Sequence, residues 1–315
     1  MPNQIPRPKS RMVPGLLLAA VPLALGVSSP GLAQEADQFA KVEIKAEPLA
    51  EGVAVLFGAG GNIGVSYGPD GTILIDDQFA PLTEKIRTAV QNLGAGPVDY
   101  LINTHWHHDH TGGNENLGKS DVLIMAHDHV RDRLITGNDN VPPAAPEALP
   151  VVTYHDGIKL HLNGDEVRVQ HMKHAHTDGD SIVFWKKANV VHMGDLFFNK
   201  VTLPFIDLSS GGNARGVLAA AEKVLAMVDD DTRIIPGHGP IATKADLQAY
   251  RDMMNTVIAA VAKAQGEGKS LQQVQAMKPA AQWDINPDAF IKGDAFVEAV
   301  YKSLQRPVHA EDHPH

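Results

Sequence analysis

The spacing of hydrophobic and polar positions changes character along this chain. Between Lys41 and Asp76 the runs VAVLFG, NIGVSYG and GTILID are short and apolar or alternating, and GAGG and GPDG separate them. That pattern predicts strands joined by tight turns. Ala80 to Leu93 then carries apolar residues at helical spacing with Pro81 near its start, which predicts a helix. DYLINT and DVLIMA (Asp121–Ala126) read as further strands, and HDHVRDRLI as a short helix. Residues Asp139 to Pro150, DNVPPAAPEALP, hold too many prolines for a regular element and predict an ordered loop or flap over one face.

The pattern then repeats. GIKLHL, EVRVQHM, DSIVFWKK and ANVVHMG predict four successive strands, GNARGVLAAAEKVLAMV a helix, and TRIIPG a last strand. Thr243 to Ala264 reads as a long amphipathic helix with Thr243 as N-cap and Asp246 at N3; Ser270 could cap a short helix, and DAFVEAVYKSLQ makes a final one. Two β-rich halves, each followed by helices, predict an α/β (α+β) fold: a four-layer αββα sandwich.

Composition narrows the class. The 315 residues are 43% hydrophobic and 20% charged, an ordinary globular balance. A net charge of −10 argues against a nucleic-acid partner. Arg7, Lys9 and Arg11 precede the apolar run Met12–Val27, and Gly31 and Ala33 occupy the −3 and −1 places of a cleavage site. This predicts a signal peptide over residues 1–33 and a periplasmic or secreted mature chain with no stable membrane insertion. The expected division is a main sandwich domain over 34–265 and a C-terminal helical extension with a flexible, His-rich tail over 266–315. With no cysteine, any metal site must be built from histidine and carboxylate.

The candidate chemistry is concentrated in NTHWHHDHTGG, where four histidines and an aspartate fall within His105 to His110. Residues two apart on an extended backbone share a side, so His105 and His107 can grip one cation while Asp109 and His110 face a second. Three later segments repeat one grammar of apolar strand, tight turn and ligand-type side chain: His176 in KHAHTDGDS, Asp195 in VVHMGD and His238 in RIIPGHGP.

Taken in order, these four motifs resemble the metallo-β-lactamase-fold hydrolase superfamily, over about Lys41 to Tyr250. The resemblance implies a first metal held by His105, His107 and His176, and a second by Asp109, His110 and His238, with Asp195 bridging. Zinc suits both positions; iron or manganese is the alternative at the second. It implies Asp76, in TILIDD, as a supporting residue behind the ligands, and His174 is a candidate for the same role. Asp109 and Asp195 border the nucleophilic hydroxide expected between the metals, and either could move its proton. Asn199 and Lys200 are candidates for binding a substrate carboxylate, with a solvated loop as the alternative. Phe197, Phe198, Phe205 and the Asp139–Pro150 loop are candidate walls of an apolar pocket, or ordinary core. The implied activity is opening of an amide or ester carbonyl in a small molecule, β-lactam or lactone first. The alternatives are a thioester hydrolase of the glyoxalase II type and a non-hydrolytic metal or redox protein. The Asp at 195 departs from the best-known β-lactamase subclasses, one with Cys and another with Ser there.

Overall fold

A computed structural model of the chain describes residues 38–138 and 141–306. The expected signal peptide, Asp139 and the His-rich tail lie outside the described residues. Among those described, strands form two sheets. The first has seven strands in sequence order: β1 (Lys45–Ala50), β2 (Val53–Phe57), β3 (Ile63–Gly68), β4 (Gly71–Ile75), β5 (Val98–Ile102), β6 (Leu123–His127) and β7 (Val152–Tyr154). β1 to β4 form an antiparallel meander, and β4 to β7 run parallel. Parallel neighbours need crossovers. These carry α1 (Thr83–Asn92), then α2 (His108–Thr111) and α3 (Asn114–Gly118), then α4 (Asp128–Thr136).

The second sheet has the order β12–β11–β10–β9–β8. Its strands are β8 (Gly157–Leu162), β9 (Asp165–His171), β10 (Ser181–Trp185), β11 (Val190–His192) and β12 (Arg233–Ile235). α5 (Ala214–Leu225) crosses over to β12, and α6 (Lys244–Gly266), α7 (Leu271–Ala276) and α8 (Gly293–Gln305) follow.

Strand alternation builds the layers. In β2, Ala54 and Leu56 pack under α1 with Ile86 and Val90, while Val53 and Val55 face the other sheet. In β4, Leu74 goes to the helix side and Ile73 and Ile75 to the inter-sheet core. β12 divides likewise: Ile234 packs with α5 and α6, and Ile235 joins Val183, Trp185 and Val190 between the sheets. A period of two on both sheets gives three apolar seams, and hence the αββα sandwich.

The N-caps expected at α6 and α7 both form capping boxes, Thr243 with Asp246 and Ser270 with Gln273. α8 packs on α5 and α6 through Phe296, Val297 and Val300. The short edge strand β7 is not singled out by pattern, because three residues are too few to establish a period. The described part of the proline-rich loop does not form a wall of the cavity described below. Val141, Ala144 and Leu149 instead pack on Trp106, Val130 and Leu134, where their apolar surface is partly buried. No helix among the described residues is long and apolar enough to cross a membrane.

Candidate metal centre

Every predicted ligand follows the C-terminal end of a strand. His105 to His110 follow β5, His176 follows β9, Asp195 follows β11 and His238 follows β12. These ends meet along one edge of the sandwich. β5 itself stops at Ile102, so a loop rather than strand alternation sets the His105–His107 pair, whose rings lie 4.8 Å apart at 89°. Glycine permits the close approach of neighbouring loops: a Cβ at Gly61 would collide with the His110 ring, and one at Gly237 with the Asp195 carboxylate.

The seven residues gather in two groups. Donor atoms of His105, His107, His176 and Asp195 lie within 4.8 Å of one another, and so do those of Asp109, His110 and His238. Asp195 stands between the groups. Its Oδ1 is 3.1 Å from His110 Nε2 and 3.4 Å from His238 Nε2, and its Oδ2 is 3.7 Å from His176 Nε2 and 3.9 Å from His105 Nε2.

The outer nitrogens of four histidines are engaged. His110 Nδ1 donates to Asp76 Oδ2 at 2.7 Å, and His176 Nδ1 to the Phe205 carbonyl at 2.8 Å. His107 Nε2 donates to Asp207 Oδ2 at 3.0 Å. Thr104 Oγ1 donates to Asp76 Oδ2 and accepts from His105 Nδ1 at 3.0 Å. Asp76 therefore steers ligands of both groups, and its Oδ1 also accepts the Thr104 amide at 2.7 Å. Asp76 is fully buried and held at φ 64, in the left-handed region that Asp tolerates better than most residues.

With the outer nitrogens of His105, His107 and His176 donating, their inner ones carry lone pairs that converge. His176 Nε2 and His107 Nδ1 face each other at 2.9 Å. Two lone pairs at that distance repel unless a cation lies between the donors. His105 Nε2 is buried without a hydrogen-bond partner, and such an atom is costly to leave unsatisfied. The imidazole and carboxylate donors, fixed from behind, fit borderline divalent cations.

Electrostatics separates the groups. Burial, helped by the nearby His110, holds His105 well below the ordinary histidine range. Burial and His107 bring His176 down to about 4. Burial also opposes charge on His110 and His238, but the neighbouring carboxylates win. Asp195, Asp109 and Asp76 hold His110 well above its usual value, and Asp195 and Asp109 bring His238 up to about 9. Conversely, burial alone would raise Asp109 and Asp195, yet His110 and His238 hold both below the carboxylate range.

A cavity of about 690 Å3 lies over the centre, lined by Phe79, His107, Asp109, Asp195, Phe198, Val201, Thr202, Phe205, His238, Asn286, Asp288 and Phe290. Phe198 and Phe205 stand in this wall. Phe197 instead packs in the core beside Tyr250, ring centroids 4.8 Å apart. Asn199 is buried and donates to the Pro240 carbonyl, and Lys200 pairs with Asp246 at 2.8 Å; neither lines this cavity. His174 sits at φ 46 in the turn between β9 and β10, outside both donor groups, its carbonyl against Gly216. His108 lies against Phe79.

Pattern reading missed Asp207, Asp180 and the 286–290 wall. Asp207 in FIDLSS reads as a turn cap, and it does accept the Ser209 and Ser210 amides; its bond to His107 spans 100 positions of sequence. Asp180 braces the His176 loop by accepting the Thr177 amide and hydroxyl.

Comparison with known proteins agrees with this geometry. A profile of the metallo-beta-lactamase superfamily matches residues 57–238. A beta-lactamase-like protein 2 homolog of Drosophila melanogaster is 27% identical over 152 residues, 46% of each chain. A hydroxyacylglutathione hydrolase of Polaromonas sp. is 25% identical over 184 residues, 58% of this chain and 64% of that one. The chain spans about half the length of the fruit-fly relative and of its Caenorhabditis elegans counterpart. Among solved structures, the DIM-1 metallo-beta-lactamase aligns with TM-score 0.57 at 18% identity, covering 69% of this chain and 99% of that one. The Pontibacter korlensis metallo-beta-lactamase gives the same score over 68% and 99%. With the family profile spanning more than half of its length, and with the sandwich and strand-end donor groups in place, this chain belongs to the metallo-beta-lactamase superfamily.

Proposed function

We propose that the chain is an exported, dinuclear zinc hydrolase that opens an ester or amide carbonyl, with a neutral lactone or ester bearing an apolar arm ranked ahead of a β-lactam. The observation that carries this reading is the paired donor groups, joined by Asp195, at the floor of an aromatic-walled cavity. The export part rests on the amino-terminal pattern of residues 1–33. When bound, two such cations polarise a carbonyl and make water nucleophilic at neutral pH.

The chain's own residues divide the remaining work. Asp109 has its side chain 31% exposed and borders the cavity, with Oδ2 3.2 Å from His238 Nε2, so it is placed to hold or pass a proton at the reacting carbonyl. Phe79, Phe198 and Phe205 exclude water and orient an apolar group. No Lys or Arg lines the cavity among the described residues, and Lys200 is engaged by Asp246. A β-lactam's carboxylate would find no Lys or Arg there, which favours a neutral substrate.

The test is hydrolysis by the zinc-loaded mature chain of a lactone series, nitrocefin and an S-acyl glutathione, with Asp195→Ala as control. Lactone turnover that exceeds nitrocefin turnover and disappears with chelator is expected. Full activity after chelation would sink the metal-hydrolase reading, and faster thioester turnover would replace the substrate.

A further inference from the structure

Several histidines take no part in the metal centre, and four of them gather in one place. His127 ends β6, His129 lies in the first turn of α4, His155 follows β7 and His171 ends β9. The rings of His129, His155 and His171 lie 4.9, 6.0 and 3.7 Å from that of His127. Asp128 adjoins them, with Oδ2 3.8 Å from His155 Nδ1.

We propose that His127, Asp128 and His155 form a further metal site, separate from the paired centre, that takes a first-row divalent cation, zinc foremost. Three observations support it. Donor atoms of the three residues lie within 4.8 Å of one another. His127 is 0% exposed, and its Nε2 is buried without any hydrogen-bond partner, as is Nε2 of His105 in the main centre. A buried polar atom in that condition calls for a partner, and the neighbouring donors are themselves ligand types. The site also has an entrance, because the Asp128 and His155 side chains are 42% and 53% exposed.

Two imidazoles and one carboxylate favour zinc, nickel or copper over calcium or magnesium, which prefer all-oxygen shells. His129 stands outside this donor group, its Nδ1 donating to the Asp178 carbonyl at 3.1 Å, so three protein ligands leave room for water on the cation. Ligation through either nitrogen of His127 displaces a single weak bond, the 3.2 Å approach of the His129 amide to Nδ1. A cation here would tie the β6–α4 junction to the turn after β7. Among the described residues that edge strand pairs with β6 alone, through three residues, so a cross-link would help to hold it.

Zinc content measured after equilibrium dialysis against micromolar free zinc tests this, on the full chain and on His155→Ala and Asp128→Asn, both exposed positions whose replacement spares the core. The difference between variants is the readout, because all other histidines count equally in each. The wild type is expected to hold one more zinc per chain than His155→Ala and to gain more in Tm on zinc addition. Equal zinc content and equal zinc-dependent Tm shifts in the three proteins would overturn the site. Hydrolytic activity does not enter the measurement, so its failure and that of the proposed function are told apart.

Discussion

The two halves of the metal centre are built from similar residues and behave differently. His105, His107 and His176 are backed by a hydroxyl, a carboxylate and a backbone carbonyl, and burial keeps His105 and His176 neutral. These two rings offer bare lone pairs at neutral pH. Asp109, His110 and His238 form the other half, where the carboxylates hold protons on both histidines. There the protons occupy the electrostatic role of a cation, and a metal must displace them. Side-chain exposure cuts across the division: Asp109, His238 and His107 are 31%, 27% and 17% exposed, while His105, His176 and His110 are closed off. The halves thus differ in the protons they hold rather than in access, since each presents a ligand to the cavity.

The strongest way to break the comparison is to remove the residue common to both halves. Asp195→Ala takes one oxygen from each side, so both groups lose a donor. Loss of an outer partner alone typically costs roughly 10–100-fold. Removing a donor itself is therefore expected to lower kcat/KM by more than about 100-fold and to reduce bound zinc, read by steady-state hydrolysis and metal analysis. Unchanged zinc content in Asp195→Ala would deny it the bridging place.

Asp76 and Asp207 sharpen the contrast from behind. Asp76 reaches both halves, through His110 directly and His105 through Thr104, whereas Asp207 reaches only His107. Asp76→Asn keeps the shape and weakens both, with an expected loss of about 10–100-fold in zinc affinity or activity. Asp207→Asn is expected to fall at the low end of that range and to weaken one zinc only, as resolved by competition with a chromophoric chelator. Equal loss of both zincs in Asp207→Asn would erase the distinction.

Proton competition is the next test. His238 is held near 9, so below that pH a proton competes with the cation, and apparent affinity of the Asp109–His110–His238 half should fall about tenfold per pH unit for each competing proton. His176 titrates near 4, so it adds no competing proton above about pH 5. Zinc titrations at pH 8 and pH 6, in the His155→Ala chain so that only these halves are compared, should show one affinity that drops strongly and one that holds. Two affinities that fall in parallel would contradict the assignment.

Legibility in the sequence followed the same physics. The seven candidate donors stand out because each follows an apolar strand in a tight turn, a local arrangement that spacing reveals. The sandwich is legible because strands such as β2 and β4 carry a period of two with both faces apolar. The partners behind the donors are not, because a pair such as His107 and Asp207 exists only after distant loops meet. The clustering of His127, His155 and His171 is hidden for the same reason: three strand ends bring them together across distant stretches of sequence.

The smallest expected effect concerns the wall rather than the floor. Phe290 is 76% exposed and reaches the cavity from the segment before α8, its ring 5.8 Å from that of Phe205, edge to face. The segment is tied down by Asn286 donating to the Val201 carbonyl and by the Ile291 amide donating to Thr202 Oγ1. An apolar substrate arm would cover Phe290 on binding and gain part of the ~1.5–3 kcal/mol that full burial of such a side chain supplies. Phe290→Ala is therefore expected to raise KM about 3- to 10-fold for long-armed esters, to leave kcat nearly unchanged, and to leave short-armed esters alone. A fall in kcat with KM unchanged would place Phe290 with the reacting group, on the carboxylate side of the centre, rather than with the arm.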